Sequence, residues 1–122
     1  MPVPVLKGFT KLDEVPEEQV TPLSRRKIVS GEKEMVVFWK IKAGAHVAAQ
    51  KHPNEQIFYL ISGGAEFRVD GETQMCGPGD TGVIPGGVEH EVRFREDTEM
   101  FEVFAPPRED YYAGQDTSLW TR

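Results

Sequence analysis

The feature that most constrains this chain is how little of it can be helical. Nine prolines and twelve glycines interrupt 122 residues, and the short segments between them mostly alternate apolar with polar side chains. A period of two belongs to strands. The pattern predicts strands near Leu23–Ser30, Met35–Lys42, Gln56–Ser62, Ala65–Val69, Glu72–Cys76, Thr81–Ile84, Glu89–Arg95 and Glu99–Ala105. Asp70-Gly71 in "VDGE" is a strong two-residue hairpin signal, and "CGPGD" and "IPGGVEH" punctuate further strands. Many short strands with tight turns imply an all-β sandwich or barrel. One domain over residues 1–122 is expected, with about residues 1–22 an N-terminal arm and 106–122 a C-terminal arm or short turn of helix.

Charge and composition narrow the function classes. With 39% hydrophobic and 28% charged residues, a soluble globular protein is expected rather than a disordered one. The net charge of -6, with both signs mixed along the chain, offers no basic stripe for phosphates and argues against nucleic acid. No apolar run reaches the ~20 residues of a membrane span, and "MPVPVLKGFTKLDE" lacks the layout of a secretory signal. A cytoplasmic location is the expectation. Cys76 is the one cysteine, so no internal disulfide can form, and it reads as a small buried apolar residue.

Strand faces point to candidate chemistry. In "EHEVRFRED" His90, Val92 and Phe94 share one face, which predicts an inward histidine in need of a hydrogen-bond partner or a metal. Glu102 shares a face with Met100 and Phe104. If that face lines the interior, desolvation raises its pKa and suits it to proton transfer; if it faces water, Glu102 is an ordinary surface carboxylate. "EMVVFWKIK" is apolar on both faces and is expected to be covered on both sides. Trp39, Phe58, Tyr59, Phe67 and Phe94 read as core packing. His46, four residues before Gln50, would share its face on an unbroken strand and reads as structural or as pocket rim.

Two stretches resemble the motifs of the cupin family. In the first, Gly44 is followed by Gln50-Lys51-His52, then Gln56 and Gly63. The second runs Gly79, Pro85, Gly87, His90. The resemblance implies a cupin-type antiparallel β-barrel (a double-stranded β-helix, jelly-roll-like). It also implies a metal site in the barrel mouth formed by Gln50, His52, Gln56 and His90. Gln50 stands where the family has a histidine, and Gln56 where many members have glutamate. "HPNEQ" before "IFYLISG" and the closing "EVFAPPREDYY" resemble the KdgF-type subset, which acts on unsaturated uronates. That likeness implies catalytic roles for Glu102 and Arg108, although glutamate stands where the subset has aspartate.

Each assignment has a plainer alternative. His52 reads otherwise as a hydrogen-bonded barrel histidine, Gln50 as a partner of metal-bound water, and Arg108 as a tie between the C-terminal arm and the barrel rather than a carboxylate clamp. A neutral donor set would bind a divalent ion (Zn, Ni, Fe or Mn) weakly while leaving it a strong Lewis acid. The expected function is non-oxidative ring opening, tautomerisation or isomerisation of a small anionic, sugar-acid-like molecule. The alternatives are a metal-dependent dioxygenase and a non-catalytic small-molecule-binding cupin. A homodimer is expected from the resemblance.

Overall fold

A computed structural model describes residues 3–112 and 119–120; the rest of the expected C-terminal arm, residues 113–118 and 121–122, lies outside the described residues. Ten strands dominate: β1 (Glu18–Thr21), β2 (Ser24–Ser30), β3 (Met35–Ile41), β4 (His46–Gln50), β5 (Glu55–Ser62), β6 (Ala65–Val69), β7 (Glu72–Cys76), β8 (Thr81–Ile84), β9 (His90–Phe94) and β10 (Thr98–Ala105). A single helical turn, α1 (Glu109–Tyr112), follows. The strands form two antiparallel sheets, ordered β1-β2-β3-β10-β5-β8 and β4-β9-β6-β7. Facing each other, they close the expected cupin-type β-barrel.

The expected hairpin is present: Asp70 and Gly71 both take positive φ, 50° and 82°, as a two-residue turn between β6 and β7 demands. Inside, the Phe58 and Phe67 rings stack across the two sheets at 4.0 Å. Both are nearly fully buried, so truncating either to alanine would cost about 3–5 kcal/mol. Phe94, Trp39 and Cys76 are buried as expected.

Four features depart from the sequence reading. Residues Glu18–Thr21, within the expected N-terminal arm, pair with β2 as a strand. β3 is buried through Met35, Val37, Trp39 and Ile41, whereas Val36 and Phe38 are only half-buried on its outer face. Tyr59 also lies outside, 37% exposed, because on β5 the inward positions are Gln56, Phe58 and Leu60.

The fourth departure shapes the site. In the β4–β9 ladder Val47 pairs with Val92 and Gln50 with His90. Three steps on β4 therefore oppose two on β9, which is a bulge. The extra residue turns Gln50 to the same inward side as Val47 and leaves His46 outside, opposite Arg93. His46 does not share the face of Gln50.

Candidate metal centre

His52 sits in the turn between β4 and β5, and three contacts fix that turn. The Gly87 N–H donates to the His52 carbonyl at 2.8 Å, and the Asn54 side chain donates to the Pro106 carbonyl at 2.6 Å. Gly86 lies against the same turn: a Cβ there would come within 2.4 Å of the Pro53 carbonyl oxygen. Only glycine allows the "PGG" turn to approach so closely. This approach brings His52 beside His90 at the start of β9, with ring centroids 4.9 Å apart and nearly perpendicular.

The hydrogen bonds fix the tautomers. His52 Nδ1 lies 3.0 Å from the Asn54 carbonyl and His90 Nδ1 2.9 Å from the Val88 carbonyl. A carbonyl only accepts, so both rings carry their proton on Nδ1 and present Nε2 as a lone pair. Burial, reinforced by Arg108 and by His90, lowers the His52 pKa to about 4. His90 is lowered as well, chiefly by burial. Both rings are therefore neutral near pH 7.

Gln56, on the inner face of β5, completes the cluster. Its Nε2 donates to Glu102 Oε2 at 3.0 Å, which turns its Oε1 toward His52 Nε2 at 3.2 Å. A neutral imidazole nitrogen and an amide oxygen are both acceptors, with no hydrogen between them. His90 Nε2, fully buried, has no hydrogen-bond partner among the described residues. Unshared acceptors thus converge where a cation would satisfy them, and in this the residues fit a divalent metal. The donor set is neutral: no group of three or more His, Cys, Asp or Glu able to hold a metal occurs among the described residues.

Glu102 lies half-buried on the inner face of β10, between Met100 and Phe104. Arg108, 3% exposed, is heavily engaged. Its Nε and Nη2 grip Asp110 at 3.0 and 2.5 Å, and its Nη1 donates to the Tyr111 hydroxyl at 3.4 Å. The guanidinium also lies over the Phe104 and Tyr111 rings. It ties the C-terminal segment to the barrel while keeping a buried positive charge beside the site.

Two spaces meet here. A cavity of about 30 Å³ inside the barrel is lined by Gln50, Gln56, His90 and Glu102 among others, room for about one water. An outer cleft of about 890 Å³ opens over Gln50, Lys51, His52 and Arg108. Gln50, Arg108 and Leu119 border both. Trp120 packs over the inner cavity against Trp39, with ring centroids 5.2 Å apart.

Sequence reasoning passed over Asn54, whose carbonyl and amide fix His52 and Pro106; its place inside "HPNEQ" was the available signal. It also passed over Trp120 and Tyr111, which cap the interior from far along the chain.

Comparison with known proteins agrees with this geometry. The Cupin domain family matches residues 37–105. An uncharacterised protein of Streptomyces coelicolor is 28% identical over 104 residues, 84% of this chain and 98% of its own. KdgF from Halomonas sp. superposes with a TM-score of 0.79 at 32% identity, covering 85% of this chain and 99% of that one. An RmlC-like cupin from Shewanella frigidimarina gives a TM-score of 0.82 at 22% identity, over 87% and 96%. With the barrel, the motif glycines and the paired histidines already in place, these matches show that the chain belongs to the cupin family.

Proposed function

We infer that this cupin binds a divalent metal ion through His52, His90 and Gln56, with Gln50 beside them. It acts on a small anionic, sugar-acid-like molecule without oxidising it. One observation carries the reading: the lone pairs of His52 Nε2 and Gln56 Oε1 face each other at 3.2 Å while His90 Nε2 stays unshared. A metal bound there supplies Lewis acidity toward a carbonyl or hydroxyl oxygen, undiminished by any anionic ligand. Similarity to KdgF supports the sugar-acid class.

The chain's own groups supply the rest. Glu102, held by the Gln56 amide, takes a proton from a substrate hydroxyl or C–H and returns it at another atom. The isomerisation then balances with no oxidant. Arg108 contributes its buried charge to anion binding. Three of its five N–H groups are engaged by Asp110 and Tyr111, so it orients a carboxylate at the margin rather than gripping it in a free fork. Substrate enters by the outer cleft, since the inner cavity holds about one water.

The size of that inner cavity is also what favours a second reading, a binding protein without turnover. Incubation with an unsaturated uronate in deuterated water separates the two. The enzyme reading expects loss of the substrate's ultraviolet chromophore and deuterium incorporation, both abolished in Glu102→Gln. Saturable binding with an unchanged spectrum would leave only the binding role. The dioxygenase alternative, already weakened by the absence of a carboxylate ligand, would show oxygen uptake.

A further inference from the structure

Trp39 is 2% exposed on the inner face of β3, where its ring packs against Tyr111 and Trp120. Packing explains the ring but not its nitrogen. Trp39 Nε1 is fully buried and has no hydrogen-bond partner among the described residues. Burying an N–H without an acceptor is unfavourable, and a phenylalanine would fill much the same space without that penalty. The Arg26 guanidinium, itself 1% exposed, lies 5.4 Å over the same ring. A cation on the ring face draws π density toward itself and leaves the N–H a stronger donor.

Trp39 lines the inner cavity together with Gln50, His90 and Glu102. Trp39 pairs with Met100 across β3 and β10, and Val37 with Glu102. Trp39 and Glu102 are therefore diagonal neighbours on one inner face, a separation that a long side chain spans. The cavity, about 30 Å³, takes about one water, which is also the size of one hydroxyl group. As a carboxylate Glu102 only accepts a hydrogen bond, and the indole N–H only donates. A hydroxyl does both. A carbonyl oxygen has no hydrogen to give Glu102, and a carboxylate oxygen would be repelled by it.

We propose that Trp39 orients the substrate: its N–H donates to one substrate hydroxyl, which reaches the inner cavity from the outer cleft and donates in turn to Glu102. This role rests on the sugar-acid reading above and narrows it to hydroxylated acids. The hydroxyl must stand far enough from the carboxylate that one enters the cavity while the other stays at the margin beside Arg108. A site that hydrogen-bonds a hydroxyl discriminates against the analogue lacking it, because its buried polar groups are then left unpaired. Trp39 is on this account a specificity determinant as well as a core residue.

The chain has two tryptophans, so proton–nitrogen NMR of the full chain with zinc(II) added shows two indole N–H signals, and the one missing from Trp120→Phe assigns both. D-Galacturonate is the probe, with its monodeoxy derivatives beside it and calorimetry recording binding. Saturating galacturonate should move the Trp39 signal downfield, as a newly donated hydrogen bond does. Trp39→Phe should weaken galacturonate binding about tenfold, the upper worth of one neutral hydrogen bond. Against the one derivative that lacks the bound hydroxyl, wild type and Trp39→Phe should bind alike. An unmoved Trp39 signal at saturation would overturn the proposal while leaving the sugar-acid reading intact, as would a loss in Trp39→Phe that is equal for every derivative. If Trp39→Phe does not fold, the wild-type signal decides alone. No binding of any of these acids would overturn both.

Discussion

Strand β4 begins outside the barrel and ends inside it, and its two ends treat histidine chemistry in opposite ways. Outside, His46 meets the Glu91 carboxylate, which Arg68 and Arg93 also hold at 2.5 and 3.3 Å. The His46 contact and the Arg68 pair outweigh desolvation and keep the Glu91 carboxyl below its usual range. Inside, Gln50 faces His90, and Gln56 faces His52. Their nearest polar partners are amides and carbonyls, so the rings stay neutral with lone pairs available. Outside, a carboxylate and two guanidiniums share their charge with water; inside, the two rings themselves stay uncharged, although the Arg108 guanidinium and the Glu102 carboxylate lie close by. A bulge of one residue makes the division.

Removing an inner ring has the largest expected effect. His52→Ala or His90→Ala should lower metal affinity by at least about 100-fold, because each leaves a single imidazole helped only by amide oxygens, which are poor donors to first-row metals. His46→Ala should leave that affinity unchanged. Titration against a metal-sensitive dye reads all three, and an equal loss in His46→Ala would erase the distinction between the two ends.

Protonation gives the next effect. In chelator-treated protein, unfolded His52 takes up its proton near the model value of 6.5, and folded His52 only near 4. Between those values the unfolded state binds the extra proton, so stability falls as pH falls and is level above about pH 7. By about pH 4.5 the loss attributable to His52 should be about 2.5 kcal/mol, with His90 adding in the same direction. Urea denaturation of wild type and His52→Gln across this range isolates the contribution as a difference in slope. Identical slopes would mean that His52 is not held neutral.

Much of this contrast was legible beforehand, and the illegible part has a definite cause. The alternation around His90 pointed it inward, Glu102 was placed on the face of Met100 and Phe104 with inside and outside both open, and motif spacing grouped His52, His90 and Gln56. Alternation assumes an unbroken ladder, however, so it put His46 with Gln50; a bulge leaves no mark in a period-two pattern. Tyr59 was assigned to the core on residue type alone, although its neighbours Phe58 and Leu60 held the inward positions. The engagement of Arg108 depends on the α1 turn bringing Asp110 and Tyr111 back onto it, which residue identities do not specify.

Smaller effects sharpen the picture. Gln50→His places a third imidazole opposite His90 and should tighten metal binding about tenfold. An unchanged affinity would mean that residue 50 does not reach the metal. Glu91→Gln should cost under about 1 kcal/mol, the usual worth of a solvent-shared ion pair, and should leave metal binding untouched.

The central claim is that neutral side chains hold a divalent ion inside the barrel, and anomalous diffraction from crystals soaked in a cobalt(II) salt tests it most directly. The account predicts one strong interior peak about 2.0–2.3 Å from both His52 Nε2 and His90 Nε2, with an oxygen of Gln56 completing the contact. Peaks confined to surface sites such as His46 and Glu91, with the two inner rings unchanged, would contradict it.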